Sequence, residues 1–133
     1  MKNYERYIYR VPRYTKLDYL NLNLRILKLD DLFELELGKF MHQFHNDKLP
    51  KSFAGYFQNV GNSHQHNTRA ANTLNYVVKK CNKKMGEHSV KYIGAKLWNN
   101  LQNNIQTANK FNFIILLKTI YFLNYRLDCL KLV

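Results

Sequence analysis

Asp31-Leu32-Phe33-Glu34-Leu35-Glu36-Leu37-Gly38-Lys39-Phe40-Met41-His42-Gln43-Phe44-His45-Asn46-Asp47 is the stretch whose reading decides the fold. Phe33, Leu37, Phe40, Met41 and Phe44 recur at i, i+4, i+7, i+8 and i+11, the period that gathers apolar side chains on one face of a helix. Asp31 with Glu34 predicts a capping box at its start. Asp31, Glu34 and Glu36 stand toward the N-terminal end, and Lys39, His42, His45 and Lys48 follow toward the other. This order suits the helix dipole. Pro50 bounds the element, because proline cannot continue a helix.

Outward from this helix the signals weaken. In residues 17–29, Leu20, Leu22, Leu24 and Ile26 alternate as in a strand, while Leu17, Leu20, Leu24 and Leu27 fit a helical stripe. Leucine and arginine with few β-branched residues favour helix. Residues 1–16 interleave Tyr4, Tyr7, Tyr9 and Tyr14 with Arg6, Arg10 and Arg13, and Pro12 interrupts them. Such an extension can stack bases and hold phosphates, or fray while its tyrosines cover a core edge. Residues 50–75, with Gly55, Gly61, Asn59, Asn62 and Ser63, have the composition of a loop.

Tyr76-Val77-Val78 and Val90-Lys91-Tyr92 are candidate strands, joined through Lys79, Lys80, Lys83, Lys84 and Gly86 as a hairpin. A short helix is expected over Ala95–Leu101, a loop over Asn99–Asn109, and an apolar helix over 111–127. The expected fold is mainly α, a small helical domain at 17–128, with α+β left open by the hairpin at 76–92. A basic aromatic extension (1–16) precedes the domain and a tail (129–133) follows it. The core is expected between helices 31–47 and 111–127, with Trp98 packed between them rather than presented as a stacking platform.

The chain has 133 residues, which suits one domain with a modest core. Its hydrophobic fraction of 46% argues against a wholly disordered chain. The net charge is +12, from 21 Lys and Arg against 9 Asp and Glu. It is uneven: residues 29–50 are acidic on balance, and the flanking segments are basic. An excess of this size implies an anionic partner, most naturally RNA or DNA backbone. Cys81 and Cys129 define no disulfide framework, so an intracellular protein of cytoplasm or nucleus is expected. The first residues lead into no apolar signal segment. The run Phe111–Leu123, interrupted by Lys118, falls short of the roughly 20 residues a membrane span needs, so no membrane partner is expected.

The residues assemble no recognisable catalytic machinery. Asp30-Asp31 lies in Leu29-Asp30-Asp31-Leu32 at a helix start, where capping explains it. Two-metal polymerase chemistry would need a further carboxylate in a strand context. His42, His45, His64, His66, Cys81 and His88 lack the paired spacings of a zinc site. No nucleophile–base order and no glycine-rich phosphate loop are present. The expectation is therefore a chain that is not an enzyme, with no metal and no cofactor. The strongest signal is Lys79, Lys80, Lys83 and Lys84, with Lys91 and Lys96 beyond and Arg69 before. Such a cluster binds phosphates without reading sequence, and Arg69 suits bidentate contact. Tyr76, Tyr92 and Trp98 lie close by in sequence. The alternative for the lysines is a solvated hairpin tip that keeps a sheet edge soluble.

Several short motifs stand in a telling order. They are Ile26-Leu27-Lys28-Leu29-Asp30-Asp31-Leu32-Phe33, Leu49-Pro50-Lys51-Ser52-Phe53, His66-Asn67-Thr68-Arg69-Ala70 and Lys91-Tyr92-Ile93-Gly94-Ala95-Lys96-Leu97-Trp98-Asn99-Asn100-Leu101, then an apolar block with Phe113, Leu117 and Lys118. The set resembles the region just beyond the reverse-transcriptase domain in non-LTR, LINE-like retrotransposons of the jockey type, over roughly residues 20–120. The chain departs from that pattern at Gln102, where proline is usual, and at Ile114 and Ile115, where the block is usually more basic. The departures fit a truncated or decaying genomic copy. The resemblance implies a non-catalytic piece of an RNA-directed DNA polymerase that holds template RNA or target DNA. It also offers a second role, as a brace packed on the reverse-transcriptase domain.

Overall fold

The helical period of the central stretch becomes a 17-residue helix, α3 (Leu29–His45). Its end comes before Pro50. Asp47 takes a left-handed backbone (φ 53°), and Lys48 N–H reaches back 2.9 Å to the Gln43 carbonyl, the closure that satisfies the last orphan carbonyls. The computed structural model describes residues 2–63 and 74–131. Around α3 stand α1 (Lys2–Tyr9), α2 (Leu17–Leu24), the short α4 (Val60–Ser63) and α5 (Lys84–Glu87), then α6 (Val90–Asn99), the short α7 (Asn103–Gln106) and α8 (Lys110–Leu130). The domain is mainly α, and no sheet forms among the described residues.

Two helices flank α3 in opposite directions. Along α8, Phe113 faces His42, with ring centroids 4.6 Å apart. Leu117 faces Gly38, and Tyr121 and Tyr125 bond Glu34 and Asp31. The falling numbers make α8 antiparallel to α3. Along α6, Gly94 meets Leu37 and Met41, and Trp98 meets His42 and His45, so α6 is parallel to α3. Glycine permits both close approaches. A Cβ on Gly38 would come within 2.9 Å of Leu117 Cδ1, and one on Gly94 within 3.0 Å of Met41 Sδ.

Trp98 is the knot of this packing, with no exposed surface. Its ring stacks on Phe113 at 6.1 Å. Its indole N–H donates to the Leu74 carbonyl at 2.9 Å, and its own carbonyl accepts from the buried Gln106 amide at 2.8 Å. The core anchor expected between α3 and α8 is there.

Several expectations give way. The hairpin at 76–92 does not form: Val90-Lys91-Tyr92 opens α6, and Tyr76 makes only a single antiparallel bridge, to Asn59. The cause is local. Ser89 caps α6 by accepting from Tyr92 N–H, a helix-start signal that outweighs the short β-like triplet. Asp31 does not cap α3, whose N-cap is Lys28. Instead the Tyr125 hydroxyl accepts from Lys28 N–H at 2.9 Å and donates to the Asp31 carboxylate. A residue 97 positions away supplies the cap, which no local reading could find. Phe33 is exposed, and Leu35 and His42 are buried in its stead, because α3 is covered on two sides rather than one. The expected loop Asn99–Asn109 contains α7. The N-terminal extension forms α1 up to Tyr9, and the residues before Pro12 are not simply frayed chain. The reading of 17–29 as helix holds for Leu17–Leu24 and fails beyond it, where Arg25, left-handed at φ 52°, ends α2. The last helix runs to Leu130, two residues into the segment expected as tail.

Replacing Trp98 by alanine should cost about 3–5 kcal/mol, the range for deleting a large buried aromatic. Trp98→Phe keeps most of the ring packing and strands the Leu74 carbonyl, for a loss of about 1–2 kcal/mol. Urea unfolding of both variants checks this. A Trp98→Ala loss below that of Trp98→Phe would contradict the packing described.

Candidate nucleic-acid interface

Lys79, Lys80, Lys83 and Lys84 sit on one arm whose root is fixed in the core. The root is Tyr76, buried with its ring among Phe44, Phe57 and Trp98. Tyr76 N–H donates to Asn99 Oδ1 at 2.9 Å, and Asn99 Nδ2 donates back to the Tyr76 carbonyl at 2.8 Å. One side-chain amide thus takes the place of a neighbouring strand. The Tyr76 hydroxyl lies 2.9 Å from His45 Nδ1, and Val77 N–H donates to the Gln58 carbonyl at 2.8 Å.

From that root, beside the last residue of α6, the chain travels to α5 and re-enters α6 at Ser89. The arm therefore runs back along the length of α6, roughly 15 Å for ten residues. Its four lysines are exposed, and none takes part in an ion pair among the described residues. Lys91 and Lys96, on α6 itself, are exposed as well. Lys91 Nζ lies 5.0 Å over the Tyr56 ring, and Lys96 Nζ lies 6.0 Å from the Tyr92 centroid. Six of the seven basic residues singled out from the sequence thus fall on or beside one helix. Arg69 lies outside the described residues.

The aromatic part of the expectation divides. Tyr76 and Trp98 are core residues and offer no face to a base. Tyr92 is half-buried and remains accessible. The arm's chemistry is electrostatic: exposed ammonium groups on irregular chain and, at Lys84, on the first residue of α5, a kind of surface that meets phosphates without reading a base sequence.

Five of the nine acidic residues have partners away from the arm, among them Asp128, which pairs with Lys131 at 3.6 Å; Glu87 stands on α5 itself. Asp18 pairs with Lys28, and Glu36 with Lys39 at 2.5 Å. Asp31 and Glu34 accept from tyrosine hydroxyls of α8. Burial pushes the Glu34 carboxyl up, helped by the negative charge of Asp31. Burial also raises the Tyr121 and Tyr125 phenols, with further contributions from Glu34 and Asp31 respectively. Both tyrosines therefore remain hydrogen-bond donors at neutral pH.

His42 and His45 serve the core, while His88 is exposed. His42 Nε2–H donates to the Ala108 carbonyl at 2.8 Å, and His42 is almost wholly buried. His64 and His66 lie outside the described residues. Among the described residues, no group of three or more His, Cys, Asp or Glu side chains could hold a metal ion. No helix among them is long and apolar enough to cross a membrane.

His45 ties this surface to pH. Burial lowers its pKa from the ordinary 6.5, neighbouring His42 lowers it further, and Asp47 opposes them. The unfolded chain therefore takes up a proton that the folded chain refuses. Stability is full above the unfolded pKa and falls as pH drops below about 6.5. His45→Gln should flatten the dependence of the urea midpoint between pH 7 and 5.5, and amide exchange at Val77 should lose the same dependence. An unchanged slope in the variant would show that His45 does not govern it.

No family model matches the chain, and no curated protein or solved structure matches it either. What this surface can do follows from its own charge and geometry.

Proposed function

We propose that the chain binds nucleic acid through the backbone, independently of sequence, as the non-catalytic region that follows a reverse-transcriptase domain in a retrotransposon polyprotein. The observation that carries this reading is the lysine arm. Four ammonium groups lie exposed, with no ion pair among the described residues, on a segment rooted in the core, while Asp18, Glu36 and Asp128 pair with lysines elsewhere and Asp31 and Glu34 are held against α8 tyrosines. Lys91 and Lys96 widen the basic surface. Phosphates that lie along the arm release their counterions, and that release supplies the affinity.

The test is binding of labelled single-stranded RNA and duplex DNA across a salt series. Affinity should fall steeply with salt. Changing Lys79, Lys80, Lys83 and Lys84 to alanine should reduce the logarithmic slope on single strands by up to about three, at roughly 0.7 for each phosphate that is no longer neutralised. Affinity that barely moves between low and high salt would overturn the proposal.

One observation favours the brace as a second reading. Leu116, Ile120, Leu123, Leu127 and Leu130 are exposed on α8 at i, i+4, i+7, i+11 and i+14, one continuous stripe apart from the buried row Phe113, Leu117, Tyr121 and Tyr125. A helix apolar on two faces is one that a larger body covers. In this reading the stripe packs on the polymerase domain of the parent protein. Leu123→Glu with Leu127→Glu, at positions 51% and 53% exposed, should leave the chain's own stability within about 0.5 kcal/mol. The same change should abolish its association with that domain in a pull-down. Association that survives both changes would remove the stripe from the interface.

A further inference from the structure

A groove of about 620 Å³ lies between α6 and α8. We infer that it receives an unstacked base of a single strand whose backbone lies on the lysine arm, an assignment that rests on the backbone-binding reading above. Continuity is the first argument. Lys83 and Lys84 stand at the start of α5, and Glu87 and His88, one turn later, already line the groove. A strand leaving the arm reaches this opening within about 6 Å, the rise of four helical residues.

Chemistry is the second argument. Ile93, Leu97 and Ile120 supply apolar wall, and half-buried Tyr92 adds an aromatic ring to the lining, with Lys96 Nζ 6.0 Å from its centroid. Asn124 brings an amide donor and acceptor, and Glu34 a carboxylate acceptor. An apolar slot with a stacking ring and a few polar groups is how single-stranded bases are held. The volume falls in the range of small-ligand sites, roughly 300–1,000 Å³.

Charge orients the strand. Glu34 and Glu87 outnumber Lys96 among the Asp, Glu, Lys and Arg side chains that line the groove and disfavour phosphate there, while the four lysines of the arm attract it. Backbone and base are thereby sorted to the two surfaces. Glu34, Glu87 and Lys96 also oppose an apolar protein segment as occupant, because covering them with hydrocarbon would take three charged groups out of water.

The experiment compares an oligouridine strand with an abasic strand of equal length and charge, binding the full chain at fixed salt. The base-bearing strand should bind about tenfold tighter, the scale of one base stacked on an aromatic ring. Tyr92→Ala and Asn124→Ala should each shrink that difference while leaving the salt slope unchanged. A 5-iodouridine strand should crosslink at Tyr92. Equal binding of the two strands, with the steep salt slope intact, would overturn the groove and leave the arm standing. No binding of either strand by the folded chain would overturn both. Tyr92 and Asn124 variants that lose a polymerase-domain partner but keep wild-type preference for bases would assign the groove to protein and overturn it too. The wild-type comparison of strands needs no variant, so the proposal stays falsifiable even if Tyr92→Ala fails to fold.

Discussion

Everything in this chain hangs on one buried indole that must find both an apolar bed and a hydrogen-bond acceptor. Trp98 can be buried only because its N–H meets the Leu74 carbonyl and its ring meets Phe113, His42 and His45. That requirement pulls four elements together. The strand-like passage after Leu74 must cross the C-terminal end of α6, where Asn99 then clasps Tyr76. α7 must bring Gln106 under the Trp98 carbonyl. α3 must present histidines rather than leucines at that level, so that a polar hydroxyl and a carbonyl can be satisfied inside the core. The lysine arm inherits its starting point from this arrangement.

The charge distribution follows from the same architecture. α3 begins with carboxylates, as a helix dipole favours, and α8 runs antiparallel, bringing tyrosine hydroxyls to them. A carboxylate that accepts from a phenol keeps its charge but is fixed in place on α3. The Lys28 ammonium, 4.6 Å over the Tyr125 ring, belongs to the same end. The fold thus sorts many of its ions: Asp31, Glu34 and their donors gather at the start of α3, while lysines with no ion pair among the described residues lie along α6 and the arm, where Glu87 is the one acid. A chain with a net charge of +12 could have spread that excess evenly. This one concentrates part of it on a single irregular segment.

The parts of the fold written as short-range pattern were legible. The period of α3, the leucine and arginine content of α2, the apolar run of α8 and the isolated tryptophan can each be read without neighbours. Errors arise where a partner distant in sequence decides the outcome. Asp31 beside Glu34 has the pattern of a capping box, but Tyr125 arrives from α8 and takes the carboxylate. Phe33 fits the helical face, but α6 and α8 cover α3 from directions that leave it outside. Val90-Lys91-Tyr92 has strand propensity, and Ser89 ahead of it is the local helix signal that prevails. The basic candidates were legible as charge. Their placement along one helix was not, because it depends on Asn99 reaching Tyr76 across 23 residues.

The two surfaces left unused by the fold make opposite physical demands, and that contrast bears on how they work together. The lysine arm is stable in water at little cost. Under the proposed function it would gain from a phosphate backbone through counterion release, and binding would then follow ionic strength. The outer stripe of α8 is costly in water and gains from burial irrespective of salt. A chain that carried only the arm would be an independent, salt-sensitive binder. One that carried only the stripe would be a packing element. With both, carried on different elements of one core, an apolar attachment through α8 can hold a weak electrostatic contact in a defined position beside α6. Tethering raises the effective concentration of the second contact without any new bond. Under the proposed function, that pairing would keep a strand near a larger body without requiring the chain to bind it tightly alone.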